Sequence, residues 1–380
     1  MRILSLAVFL AITTPTMGRP ATAQTLVEER WRRVEPVIAE LLRRPDVAGM
    51  SITVIDDFEI TVSRAYGVRT TASRAPMTPN TLVQAASLSK VATATAALRL
   101  VERGTLALDE DVNSRLTSWK LPENEPTATA RVTLRGLLSH TAGVAVGGFQ
   151  GYPSGAEVPS ALQILRGAAP ANNAAIVVTE VPGPQRYSGG GYLVIQRLLE
   201  DATGRSFEQL MRGEVFVPAG MGRSVFALRP PPPLGPEVAE GHALQTSGEL
   251  VEVTYQHPEL AAGGLWSTSE DVAQLVSGLL RSWRGDRGQL LSPESVHGMM
   301  EPLGERRLGL GVVVREAEGG KGRYFMHTGS NVGFRSMLIG FLETGQGAVL
   351  MFNAEVDRIV PMELLAAIAR EFGWPRFSLR

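Results

Sequence analysis

The chain has 380 residues, of which 44% are apolar and 20% charged, with a formal net charge of −1. That balance fits a globular protein with a sizeable core and excludes a disordered, fibrous or membrane-embedded chain. With no basic run and no acidic tail it gives no electrostatic reason for a nucleic-acid or anionic-membrane partner, so a small molecule or peptide is the expected ligand.

Residues 1–23 read as a secretory signal: Arg2, an apolar stretch from Ile3 to Ile12, then Ala21-Thr22-Ala23 as a small-x-small cleavage site. The stretch is too short for the roughly 20 residues that cross a bilayer. The expectation is an exported protein, periplasmic or secreted, with no membrane span after cleavage. From Thr25 to Arg44 the apolar spacing is helical, with Pro36 inside the run. Gly49 to Ile55 and Ile60 to Ala65 are β-branched and flank Asp56-Asp57, which predicts a hairpin. The middle is mostly helical, with helices expected over Val91 to Leu100, Tyr192 to Ala202 and Asp271 to Leu280. The proline run from Pro230 to Pro233 reads as a stiff extended connector. Strands are expected at Leu308 to Val314, Arg323 to Met326, Phe334 to Phe341 and Ala348 to Phe352, then a helix from Pro361 to Phe372.

Strands at both ends with helices between them predict an α/β (α+β sandwich) fold: a mostly antiparallel sheet built from both termini, flanked by helices, with a large mainly helical insertion. One catalytic domain is expected over 24–380, its sheet region at about 24–75 and 300–380 and its helical region at about 76–299.

Cysteine is absent, which removes disulfides, thiolate metal sites and a cysteine nucleophile. The five histidines (140, 242, 257, 297, 327) are scattered, and no metal or other cofactor is expected. The chemistry concentrates instead at Ser87-Leu88-Ser89-Lys90. Only Lys90, Lys120 and Lys321 are lysines among 37 basic residues, so a lysine kept here points to work that an arginine cannot do. An ammonium can become a neutral base, whereas a guanidinium stays protonated. Positions three apart share a helix face, so Lys90 can reach the Ser87 hydroxyl and activate it as a nucleophile. No serine lies in a Gly-x-Ser-x-Gly elbow, which argues against an ordinary α/β-hydrolase.

Two later segments extend the pattern: Tyr187-Ser188-Gly189 before a glycine turn and helix, and His327-Thr328-Gly329-Ser330, expected to end a strand at a tight glycine. With Leu137 to Gly143 and Ala262 to Thr268, these ordered segments resemble the serine β-lactamase and penicillin-binding protein superfamily. The resemblance is to its class C β-lactamase-like branch, which also holds D-alanyl-D-alanine carboxypeptidases, D-aminopeptidases and esterases, and it spans about residues 30 to 375. It implies a Ser87 acyl-enzyme, with Lys90 and Tyr187 sharing the proton work and Ser330, His327, Thr328 and Gly329 binding substrate or forming the oxyanion hole. The backbone N–H groups of Ser87 and Ser330 are the implied oxyanion donors. Gly189 stands where many relatives carry an asparagine, and His327 where many carry a lysine. Both departures place an esterase or D-amino-acid peptidase ahead of a β-lactamase; a non-hydrolytic penicillin-binding or sensor protein is the alternative of another class. His140 is expected to hold a loop through hydrogen bonds, and Arg335 is a candidate for a substrate carboxylate.

Overall fold

The computed structural model describes residues 21–234, 237–288 and 290–378, with side chains from residue 24 onward. Most of the expected secretory signal therefore lies outside the described residues. In chain order, the elements that position the site begin with α1 (Ala21–Leu41), which runs through Pro36, and the hairpin β1 (Gly49–Asp56) and β2 (Glu59–Gly67). There follow α2 (Ser89–Glu102), α3 (Gly189–Thr203), the single turn α4 (Leu260–Gly263) and α5 (Ser269–Arg284). Strands β3 (Val313–Glu316), β4 (Arg323–Asn331), β5 (Phe334–Phe341) and β6 (Gln346–Phe352) lead to α6 (Ile359–Phe372).

The strands form one antiparallel sheet in the order β3-β4-β5-β6-β1-β2, so the amino-terminal hairpin completes a sheet begun by the carboxy-terminal meander. The register that joins the two ends pairs Met50 with Phe352 and Val54 with Ala348. Alternation then sends side chains to two cores. On one face Met50, Ile52, Val54, Leu350 and Phe352 pack against Trp31, Val34 and Ile38 of α1 and Leu364 and Ile368 of α6. On the other, Val349, Met351 and Leu338 meet Val272, Val276 and Leu279 of α5, in a core continuous with the helical region. Ser51 and Thr53 also face α5, and their hydroxyls bond Ser269 Oγ at 2.5 and 2.8 Å, so the polar residues of β1 are satisfied at the start of that helix.

The expected architecture is present, with local corrections. Leu308 to Gly311 is not strand. Gly309 N–H donates to Val312 O at 2.9 Å in a tight turn, and a Cβ on Gly309 would stand 2.2 Å from Met299 O, so the strand starts at Val313. The proline run turns into a short 3₁₀ segment at Pro232–Leu234 rather than staying extended. Strand β4 runs on to Asn331, so His327 to Ser330 lie within it and not at its end. Among the described residues, no helix is long and apolar enough to cross a membrane.

Candidate active site

The turn that carries Ser87 is pinned from two sides. Val83 and Gln84 pair with Ser267 and Trp266, Ala85 N–H donates to Leu265 O at 2.8 Å, and Ala85 O accepts from Ser336 Oγ of β5 at 2.7 Å. Ala86 then takes a left-handed conformation, φ 50°, unusual for a residue with a Cβ and costing about 1–3 kcal/mol. Ser89 repairs the bend: its hydroxyl donates to Ala86 O at 2.6 Å and accepts from Leu265 N–H at 3.0 Å. Ala86–Leu88 forms a 3₁₀ turn that feeds directly into α2, which places Ser87 at the helix entrance.

Lys90 follows in the first turn of α2, 2% exposed. Its Nζ donates to Ser87 Oγ at 3.2 Å and to Ala262 O of α4 at 2.7 Å. It lies 4.9 Å from the ring centre of Tyr187 and 5.4 Å from that of Tyr192. Among the described residues it makes no ion pair with a carboxylate; aromatic faces, a carbonyl dipole and the serine hydroxyl surround the amine.

Tyr187 reaches the same point from the loop before α3. That loop is held by His140, whose Nδ1 accepts from Ser188 N–H at 3.0 Å and whose ring packs 4.5 Å from that of Tyr187. Burial pushes the His140 pKa well below the usual imidazole value, with Lys90 and His327 adding to the shift, so His140 is neutral and free to accept. The expected loop-holding role of His140 is therefore what the hydrogen bonds show. Ser188 Oγ caps α3 by accepting from Gly191 N–H at 2.8 Å.

Strand β4 supplies the facing wall. A Cβ on Gly329 would lie 2.1 Å from Ser336 Oγ and 2.6 Å from Ala85 O, so only glycine lets β4 close on the Ser87 turn. Thr328 and Ser330 line a cavity of about 280 Å³ together with Ser87, Lys90, Tyr187 and Gly189. His327 is buried behind them and is not among the lining residues. Its Nδ1–H donates to Thr328 O at 2.8 Å, and burial, reinforced by Lys90, lowers its pKa to about 4. Arg335 turns to the β4–β5 hairpin backbone, donating to Asn331 O and Phe334 O, with Glu355 at 3.8 Å.

With this geometry in view, the sequence from residue 34 to 369 matches the family model described as Beta-lactamase. The chain belongs to the Beta-lactamase family. Penicillin-binding protein 4* of Bacillus subtilis (strain 168) is 24% identical over 340 residues, covering 83% of this chain and 71% of that protein. D-aminopeptidase of Gluconobacter oxydans (strain 621H) is 28% identical over 198 residues, 51% of this chain and 35% of that protein. The solved octameric penicillin-binding protein homologue from Pyrococcus abyssi shares the fold, with a TM-score of 0.73 at 24% identity over 91% of this chain and 78% of that one. Membership in the Beta-lactamase family makes the chain one of a family of serine hydrolases.

This Beta-lactamase family member also brings to the cavity residues that sequence reasoning missed. Phe149 stands beside Gly189, its ring 3.1 Å from where a Cβ on that glycine would be. Asn331 donates to Gln84 Oε1 at 2.7 Å and Gly263 O at 3.0 Å, tying the end of β4 to both neighbours. His257 and Glu259 are buried in the cavity wall. The signal for the last two was their place just before the Ala262-Gly263-Gly264 segment; scattered histidines weighed only as metal ligands concealed it. Among the described residues, no group of three or more histidines and carboxylates could hold a metal ion.

Proposed function

We propose that the protein is an exported serine acyl hydrolase acting on an ester, an amide or a lactam through a covalent Ser87 acyl-enzyme. The observation that carries this reading is the buried Lys90 amine, 3.2 Å from Ser87 Oγ and without a carboxylate partner among the described residues, on one cavity with Tyr187. Ser87 Oγ bonds to the substrate carbonyl carbon while its proton passes to the Lys90–Tyr187 pair. That pair returns a proton to the leaving group as the ester or amide bond breaks. Backbone N–H groups of Ser87 and Ser330 receive the developing oxyanion, each such donor being worth about 2.7–4 kcal/mol. Water then cleaves the acyl-enzyme. His327, with Nδ1–H committed to Thr328 O, acts by positioning β4.

A carboxylesterase or D-amino-acid peptidase ranks ahead of a β-lactamase. Gly189 offers no side-chain amide to a substrate's acyl amide, and Phe149 narrows the space beside it. Export rests on the pattern of residues 1–23, and a single catalytic domain over 24–380 on the sheet drawn from both ends of that stretch.

The test is a panel of p-nitrophenyl butyrate, nitrocefin and a D-alanyl peptide, with intact mass spectrometry for an adduct. Steady turnover of one substrate, an adduct on Ser87 and none in Ser87→Ala are expected. A single stoichiometric burst would instead indicate a non-hydrolytic penicillin-binding protein, and turnover by Ser87→Ala would end the proposal.

A further inference from the structure

A second chamber opens off the catalytic cavity across β4. Thr328 and Ser330 line both. The strand register explains why: Thr328 pairs with Met337 and Ser330 with Arg335 of β5, and Arg335 pairs in turn with Phe352 of β6, so these side chains share one face of the sheet. That face runs from the Ser87 cavity to the start of α6, where Val356 and Met362 complete the chamber wall. Its volume is about 800 Å³, against about 280 Å³ for the cavity at Ser87. Small-molecule sites span about 300–1,000 Å³, so the larger space has room for most of a substrate.

The lining sets what fits. Met326, Met337 and Met362 come from β4, β5 and α6, and with Phe352 and Val356 they make an apolar wall whose thioether chains adapt to an occupant's shape. The charges at its edge balance, Arg335 and Arg358 against Glu355 and Asp357. Arg335 is also spent on Asn331 O and Phe334 O, and it lies beside Glu355, whose Oε1 accepts from Gly333 N–H at 3.0 Å. That balance leaves no net charge to hold a carboxylate. The two halves of a substrate then divide between the two spaces. The Lys90–Tyr187 pair must reach the leaving atom, and the Tyr187 ring lies 6.3 Å from that of His327, next to Thr328. Phe149 and Gly189 line the cavity and not the chamber. The leaving group therefore passes Thr328 toward Met326 and Met337, and the acyl group stays in the smaller cavity.

We propose that this chamber takes the leaving group and selects a large, uncharged, apolar one: the alcohol of an ester rather than the amino acid at a peptide's carboxyl end. The inference deepens the acyl-hydrolase reading and rests on it. Ser87 Oγ bonds to the carbonyl carbon, and the bond from that carbon to the alcohol oxygen breaks as the oxygen takes a proton from the Lys90–Tyr187 pair. Burial of the alcohol's chain supplies binding energy remote from the reacting bond.

The experiment measures kcat/KM of the full-length wild type by pH-stat on ethyl acetate, hexyl acetate, its isomer ethyl hexanoate, and ω-acetoxyhexanoate, whose leaving chain ends in a carboxylate, with a D-alanyl peptide for reference. Hexyl acetate is expected to exceed ethyl acetate by about 10-fold or more, and to exceed both ethyl hexanoate and acetoxyhexanoate. Met362→Gln, which puts an amide into the chamber wall, should lower the hexyl-to-ethyl ratio by about 3-fold or more. Equal rates on the two acetates, a preference for ethyl hexanoate or acetoxyhexanoate, or an unchanged ratio in the variant would overturn the inference. The wild-type comparison stands even if the variant fails to fold. Turnover of the D-alanyl peptide with none of the esters would overturn it and keep the acyl-hydrolase reading, whereas no turnover and no Ser87 adduct with any of these compounds would reject that reading itself.

Discussion

Lys90 shows how far a single residue can be read. Its spacing from Ser87 and its rarity marked it in the sequence, and the contact is made, but the partner that fixes the amine's second direction, Ala262 O, comes from 172 residues away. Lys90→Arg keeps the charge and loses the ability to release a proton. Steady-state kinetics should show kcat lowered by about 100- to 10,000-fold with folding intact by circular dichroism, and near-normal turnover would remove Lys90 from the proton path. His327 makes a different prediction. Its pKa in the folded protein is about 4 against 6.5 for a free imidazole, so between those values the unfolded chain binds more protons. The stability it confers is complete above pH 6.5 and is lost as pH falls toward 4, by at most about 3 kcal/mol. Urea unfolding at pH 7 and pH 4.5 should show that loss, reduced in His327→Gln; His140, shifted the same way, leaves a remainder. An identical loss in the variant would contradict the assignment.

At the level of elements, glycines mislead a sequence reader because they serve two purposes. Gly329 suggested the end of a strand, yet β4 continues through it; the residue is small so that β4 can lie against Ala85 and Ser336. Gly309 and Gly311 sit where β-branched neighbours suggested a strand, and there the chain turns. Periodicity reports a side chain's surroundings but not how near a second backbone comes, and that distance separates the two cases. Gly329→Ala should therefore cost about 1–3 kcal/mol in chemical denaturation and lower kcat by displacing the Ser87 turn; an unaltered melting curve and rate would show that β4 can retreat. Position 189 tests the loop side. Gly189→Asn alone pushes a side chain toward the Phe149 ring and should impair ester hydrolysis, while adding Phe149→Ala should restore part of the rate; equal damage in both variants would show that Phe149 is not the obstacle.

For the whole molecule, the sheet drawn from both ends of the chain was legible because its strands carry strong β-branched and aromatic signals and its helices strong spacing. The strand order was not, since nothing local states that Met50 faces Phe352. The same join makes α1 part of the sheet's core. Trp31 is 1% exposed, and its Nε1–H donates to Tyr66 OH of β2 at 2.9 Å. Trp31→Ala should destabilise the protein by about 3–5 kcal/mol in urea titrations, and a loss below 1 kcal/mol would mean that α1 is peripheral to the cooperative unit. The pairing of β1 with β6 also bears on when activity can arise. Ser87 and Lys90 are synthesised early, but the strand that walls their cavity, residues 323–331, and its support at 346–352 come some 240 residues later. A nascent or half-folded chain holds Ser87 and Lys90 without a cavity around them, and long-range closures of this kind are slow. The acylating power proposed for Ser87 should therefore appear only at the end of folding, once strands from both ends of the chain have met.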